Sequence, residues 1–318
     1  MMGVCWALPV VTAITAAWGW LGWRAAAIHE EDKLAAILRA DGAMASIDAS
    51  DVRTFFGVPI TDRSSYVTMK GEAVDIELAA RLPKLKFLAI ESAALPPDAG
   101  RCLSRMRHLE FVHMRDVRVD DEFWPHLEDL QKTRWLELVK TPITDAGLRS
   151  VGRLTALGYL DLSESGVTDQ GLEHLDGLVK LYSLDVCGCP INGAGLRHLK
   201  SLPELAWLSL GHCRITDDGL ENLPAFPFLR DLDLSYNPIS DKSIKNLARL
   251  ELLSNVNLNG TKITDAGLAS LAAMGRGLDV TVKDTKVTDG GIATVQRQHP
   301  WMKIYRSGAP EAWRTGHD

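Results

Sequence analysis

The chain has 318 residues, 46% of them hydrophobic and 24% charged, a balance that excludes bulk disorder and suits one elongated domain better than one compact core. A formal net charge of -6 excludes the clustered positive footprint that phosphates require, so no nucleic-acid partner is expected. The five cysteines are odd in number and lack the spacing of a small secreted disulfide scaffold.

The first 23 residues contain no Asp, Glu, Lys, Arg or His. Val4 to Trp23 is 20 residues long, the length an α-helix needs to cross about 30 Å of hydrocarbon. Trp18, Trp20 and Trp23 cluster where an aromatic belt meets the headgroups. Residues 1–27 therefore read as a membrane anchor built on a single transmembrane helix, and the chain as a single-pass membrane protein. Ala25 and Ala27 form an A-x-A pattern, so a cleaved signal peptide is the alternative, with a buried helix as a third. The absence of Lys and Arg before the apolar run and the bulky tryptophans weigh against cleavage. Arg24 pulls the C-terminal side inward by the positive-inside rule, but one arginine is a weak bias and leaves orientation open.

Residues 28–81 form a juxtamembrane segment and N-terminal cap. Glu30, Glu31 and Asp32 open a helix over Lys33 to Ala40, which Asp41-Gly42 can end. Thr54 to Ser65 reads as loop, and Val67, Met69 and Ile76 to Leu82 as a shortened first repeat.

Residues 82–306 repeat with a period of 24. Leu82, Met106, Leu130, Leu154, Leu178, Leu202, Phe226, Leu250 and Met274 begin nine units in one register. Apolar columns at +6 (Leu88 to Val280) and +8 (Ile90 to Val282) alternate as the inward residues of a strand do. A column at +13 (Ile143, Val167, Ile191, Ile215) marks a turn, and columns at +18 and +21 (Leu148 and Val151, Leu172 and Leu175) share one face of a short helix. One unit cannot enclose its own apolar face, so the units must stack. The fold class is α/β: a solenoid of about nine repeats, with parallel strands on a concave face and short helices on a convex one. Met302 to Tyr305 offers a last strand, and residues 307–318 read as a loose tail.

Written out, Leu154 to Thr168 (LTALGYLDLSESGVT), followed by Asp169-Gln170-Gly171-Leu172, resembles the leucine-rich-repeat signature. Its T-D-x-G-L ending resembles the cysteine-containing subfamily, found in eukaryotic F-box repeat proteins and many bacterial repeat proteins. The order of anchor, Leu21-Gly22-Trp23, charged helix and repeats is similar to bacterial membrane-anchored repeat proteins. That likeness implies an exported repeat domain, and fold alone does not bring a function with it.

The recurrent pairs Thr144-Asp145, Thr168-Asp169, Thr216-Asp217, Thr264-Asp265 and Thr288-Asp289 are read as helix N-caps, with the Asp favouring the positive helix end. Position +11 (Thr141, Ser165, Cys189, Cys213, Asn237, Thr261, Thr285) holds small hydrogen-bonding side chains, as a ladder facing turn backbone requires. Cys187, Cys189, His212 and Cys213 do not converge as four zinc ligands would, because strand alternation sends Cys187 outward and Cys189 inward. The thiols are expected free, and no metal or other cofactor is expected. Asn259-Gly260-Thr261 fits a weak glycosylation sequon.

The solvent side of the strands is the candidate site. The +5 column carries Phe87, Phe111, Trp135, Tyr159 and Trp207, and the +7 column carries Glu137, Asp161, Asp185 and Asp233. An exposed aromatic row beside an acidic stripe suits a protein or peptide partner, basic or cationic in character. Lateral stacking of the rings is the structural alternative. No nucleophile, nucleotide or metalloprotease motif appears, and columns of one residue type describe scaffold, so no enzyme is expected. The function read from the sequence is a membrane-tethered, non-catalytic binding module. The alternatives are the F-box-like recognition subunit of a ubiquitin ligase, which would need more helices than residues 28–81 offer, and a purely structural envelope protein.

Overall fold

A computed structural model of the chain describes residues 66–306, apart from 72, 73, 83 and 276. The expected anchor, the helix over Lys33 to Ala40, the Thr54 to Ser65 loop and the tail 307–318 lie outside the described residues. Among the described residues, no helix is long and apolar enough to cross a membrane.

Eleven parallel strands lie side by side in chain order. They are β1 Tyr66–Lys70, β2 Phe87–Glu91, β3 Phe111–Arg115, β4 Trp135–Val139, β5 Tyr159–Asp161, β6 Ser183–Asp185, β7 Trp207–Ser209, β8 Asp231–Asp233, β9 Asn255–Asn257, β10 Asp279–Thr281 and β11 Lys303–Tyr305. Phe87 faces Phe111 and Asp279 faces Lys303, so the 24-residue period is also the register of the sheet. Only β1 departs from it, with Tyr66 opposite Phe87. Each return runs through α1 Ile76–Ala80, α2 Ala99–Ser104, α3 Asp145–Val151, α4 Asp217–Leu220, α5 Asp265–Ala272 or α6 Asp289–Gln298, or through a 3₁₀ turn. The sequence predicts one short helix per unit, and four units use 3₁₀ geometry instead: Trp124–Asp129, Gly171–Leu175, Leu196–Ser201 and Asp241–Arg249. The three-residue spacing of the +18 and +21 apolar residues is served by either geometry, since residues three apart share a face in both. Between strands and helices the +6, +8, +13, +18 and +21 columns form one continuous buried core.

Strands shorten from five residues to three at β5. In four of the short strands the +7 side chain explains this by bonding the backbone two residues on. Asp161, Asp185, Asp233 and Asn257 accept from the N–H groups of Ser163, Cys187, Ser235 and Asn259 at 2.8, 2.7, 2.7 and 3.1 Å. Such Asx turns divert an N–H from the ladder. The +11 side chains then serve the +8 carbonyls. Leu162 O and Val186 O accept from the Cys189 and Cys213 thiols at 3.2 Å each, Leu210 O from Asn237 Nδ2 at 2.7 Å and Leu258 O from Thr261 Oγ1 at 2.7 Å. The expected polar ladder is therefore present, and the thiols belong to it.

The T-D-x-G-L motif is only partly a cap. Thr216, Ser240, Thr264 and Thr288 accept a helix N–H through their side chains, whereas Thr144 makes no such bond. The aspartate has a larger task than the helix dipole. Asp145 accepts from the backbone N–H and hydroxyl of Thr168 in the next unit at 2.7 and 2.6 Å. Asp217 binds Ser240, Asp241 binds Thr264 and Asp265 binds Thr288 in the same two-pronged way. The motif glycine makes room for this staple. A Cβ on Gly171, Gly267 or Gly291 would lie 2.3, 2.2 or 2.1 Å from Oδ1 of Asp145, Asp241 or Asp265. Where Ser243 replaces the glycine, its hydroxyl donates to Ser240 O at 2.9 Å, beside the Asp217 staple.

The sequon asparagine is engaged as well. Asn259 is buried, and its Oδ1 accepts from the Lys283 N–H at 2.7 Å.

Candidate functional site

Strand alternation sends the +6 and +8 columns into the core and the +5 and +7 columns to the opposite face, so every proposed residue lies on one face of the sheet. In-register pairing brings them into rows: Phe87, Phe111, Trp135 and Tyr159 are successive partners, as are Glu137, Asp161 and Asp185. The Trp135 and Tyr159 rings stack at 3.6 Å with 7° between planes, and Phe87 stacks on Phe111 at 6.1 Å. Trp207 is separated from this run by Ser183.

The expected exposure of these side chains is corrected. Phe87 is 4% exposed, Tyr159 6%, Glu137 7%, Asp161 2% and Asp185 0%, while Phe111, Trp135, Trp207 and Asp233 are half-buried. Part of the reason is lateral: parallel strands set like positions about 4.8 Å apart, and the rings cover one another. Burial pushes the Tyr159 hydroxyl far up, reinforced by Asp161, Glu137 and Asp185, and pushes the Cys187 thiol up beside Asp185.

Two groups escaped the sequence reading as members of this site. His113, a +7 residue, bonds through Nδ1 to Glu137 Oε2, and its Nε2 lies 3.8 Å from Glu91 Oε1. Glu137 also accepts from Trp135 Nε1 at 2.7 Å, which joins the aromatic row to the acidic column. The one available signal was a histidine one repeat before Glu137, in the same column. Beyond β7 the face is a polar network: Asn255 Nδ2 donates to Asp231, Asn257 Nδ2 to Asp233 at 3.0 Å, and Thr281 Oγ1 to Asn257 at 2.6 Å. Burial raises both Asp231 and Asp233, against the opposing hydrogen bonds from Asn255 and Ser235.

Among the described residues, no group of three or more His, Cys, Asp and Glu is placed to hold a metal ion. His212 stacks on Tyr236 at 4.2 Å, away from the Cys189 and Cys213 thiols in the ladder.

An open sheet of parallel strands in strict sequence order, with short helices on the returns, is consistent with a leucine-rich-repeat solenoid. The family model described as Leucine Rich repeat matches residues 208–223 and 227–248. Among solved structures, an internalin from Listeria monocytogenes is similar at 16% identity over 77% of this chain and 87% of its own, with a TM-score of 0.39. Internalin C2 from the same organism is 21% identical over 65% of this chain and 74% of its own, with a TM-score of 0.40. No curated protein matches the chain.

Proposed function

We propose that this chain is a non-catalytic recognition module that binds a protein or peptide across its strand face. The observation that carries this reading is the joining of the Trp135–Tyr159 stack to Glu137 and His113 on that face. Rigid aromatic anchors beside carboxylates suit basic residues set among apolar ones. The anchor in residues 4–23 would make the module membrane-tethered, with the repeats exported; its support is the uncharged 20-residue run with its terminal tryptophans.

Selection from a random peptide library tests the site. The full chain should enrich peptides carrying Lys or Arg beside an aromatic, and the Trp135→Ala, Tyr159→Ala, Trp207→Ala variant should not, while keeping its circular dichroism. Identical enrichment by both would remove the strand face from consideration. A purely structural role is favoured by the self-satisfied network beyond β7, and the absence of any enrichment would support it. Protease accessibility of the repeats in intact cells tests the tether and its orientation.

A further inference from the structure

Large apolar side chains are exposed at few places on the solenoid, and those places are not scattered. Among the described residues they are Val179, Tyr182, Phe228, Tyr236, Leu252 and Trp301, each 42 to 53% exposed. Two of them have an aromatic neighbour: Tyr236 stacks on His212 at 4.2 Å, and Trp301 meets His299 edge-on at 5.3 Å. The other four lie in the turns that lead into β6, β8 and β9, on the edge where the strands begin. In-register pairing from β6 to β9 lines these turns up. Val179, Pro203 and Pro227 share the +1 column, and Phe228 and Leu252 are neighbours at +2. All five are exposed and form one apolar strip over four repeats, which Tyr182, its ring over Gly158, extends at one end. The same columns are polar in earlier repeats, with Arg107, Gln131 and Thr155 at +1 and Lys84, His108 and Lys132 at +2. The fold does not require the change, because an exposed turn gains no burial from an apolar side chain. A contiguous exposed apolar strip marks an association surface.

We propose that this strip is the contact face of a homodimer, occupied by a second copy of the chain across a two-fold axis. The ground is self-complementarity, which such a contact demands. Each of the four turns carries one exposed charge, Lys180, Glu204, Arg230 and Glu251 in order, so the sign alternates along the strip. A two-fold axis across the middle of the strip sets the first turn against the fourth and the second against the third. Lys180 then faces the partner's Glu251, and Glu204 faces the partner's Arg230. The apolar residues follow the same operation: Val179 meets the partner's Leu252, and Pro203 meets the partner's Phe228. An axis along the strip would instead set every charge against its own kind, at a cost of several kcal/mol. The size also fits. Two half-exposed rings and two half-exposed aliphatic side chains offer roughly 350 Å² of apolar surface, enough for the hydrophobic centre of a contact of about 800 Å² per partner.

An axis across the strip reverses the order of the repeats and keeps both strand faces on the same side of the dimer. A ligand bearing two copies of a recognised segment could then engage both faces, with the second contact made intramolecular. The dimer contact lies off the strand face and holds whether or not that face binds a peptide.

The test is sedimentation velocity of the full chain in density-matched non-ionic detergent, over about 1–100 µM. Wild type should show a monomer–dimer equilibrium in that range. Glu204→Arg alone sets like charges against each other at both of its cross-axis pairs, as does Arg230→Glu alone, and each should weaken dimerisation about tenfold. Mixed in equal amounts, the two variants should form a heterodimer within about threefold of wild-type affinity, because both pairs again join opposite signs. The Phe228→Asp, Leu252→Asp variant should be monomeric with unchanged circular dichroism, since both side chains are exposed. Association through another surface would leave the charge variants dimeric and give the mixture nothing to recover. A wild type that stays monomeric throughout overturns the proposal, as do single charge variants that dimerise like wild type, a mixture that recovers nothing, or an apolar variant that still dimerises.

Discussion

Asp241 and Gly267 belong to one contact between adjacent repeats, which gives the motif its residue-level meaning. Gly267→Ala would place a methyl 2.2 Å from Asp241 Oδ1, so the usual helix-propensity gain of about 1 kcal/mol should turn into a loss. Asp241→Ala leaves the Thr264 N–H and hydroxyl without their acceptor and should cost about 1–3 kcal/mol. The double variant should be clearly less damaging than the sum of the two, because removing the carboxylate frees the space; urea melts of the four proteins measure the coupling. The same staples set the acid response. The backbone N–H and the hydroxyl of Thr288 hold Asp265 below the ordinary carboxylate range. Burial pushes Asp217 up, but the Ser240 and Ser243 bonds and the Lys242 charge outweigh it and leave the group lowered. A lowered folded-state pKa adds stability that is complete above the unfolded value of about 4 and is lost as pH falls through the folded value. Asp231 and Asp233, raised by burial, act in the opposite sense and recover stability as pH falls through their raised values towards the unfolded one. Asp265→Asn should therefore flatten the loss of melting temperature below about pH 4, and Asp233→Asn should raise the melting temperature at pH 7. An unchanged acid limb in the first variant would count against the staple.

The turn after each strand is built on a left-handed residue at +10. Ser92, Asp116, Lys140, Glu164, His212, Tyr236 and Asp284 all have φ between 50 and 56°, and Gly188 and Gly260 fill the same column at 73 and 66°. Non-glycine residues there carry a cost of about 1–2 kcal/mol, partly offset by the greater unfolded-state freedom of glycine. Ser92→Gly, on an exposed turn, should accordingly stabilise by about 0.5 kcal/mol. Gly260→Ala should destabilise, because its Cβ would meet the Tyr236 ring at 2.4 Å. Chemical denaturation of both variants distinguishes the two effects. Much of this element was legible in the sequence: the strand, the +13 turn, the ladder at +11 and the cap at +14 each recur often enough to define a column. The left-handed position was not, since its occupants share no chemistry, only a backbone angle. The staple and the burial of the strand face were hidden for a related reason. Asp145 reads locally as a first-turn helix acid, and its true partner, Thr168, stands one full repeat away. Asp161 and Asp185 read as surface charges because alternation gives the side of a sheet and says nothing of how deeply a side chain on that side is buried.

At the scale of the whole solenoid, the main contacts between its described elements join neighbouring repeats, strand to strand and helix to helix. Stability in such a stack is close to a sum over nearest-neighbour interfaces, so the position of a lesson in the array matters as much as its chemistry. Leu184 in β6 and Met69 in β1 are both buried core residues, and truncation of either to alanine removes about 2–5 kcal/mol of packing. Leu184 loses contacts with repeats on both sides, whereas β1 pairs only with β2 and carries the irregular register of Tyr66 on Phe87. Leu184→Ala should lower the urea midpoint of the whole solenoid and the exchange protection of β5, β6 and β7 together. Met69→Ala should instead unfasten β1, with amide protection lost over residues 66–70 and nearly unchanged from β4 onward. Hydrogen exchange read strand by strand in both variants decides the matter. Equal midpoint shifts and uniform loss of protection in Met69→Ala would mean that the eleven strands unfold as one unit. In that case the edge strand would carry as much of the cooperativity as the centre, and β1 would be an integral part of the fold rather than a cap that can open by itself.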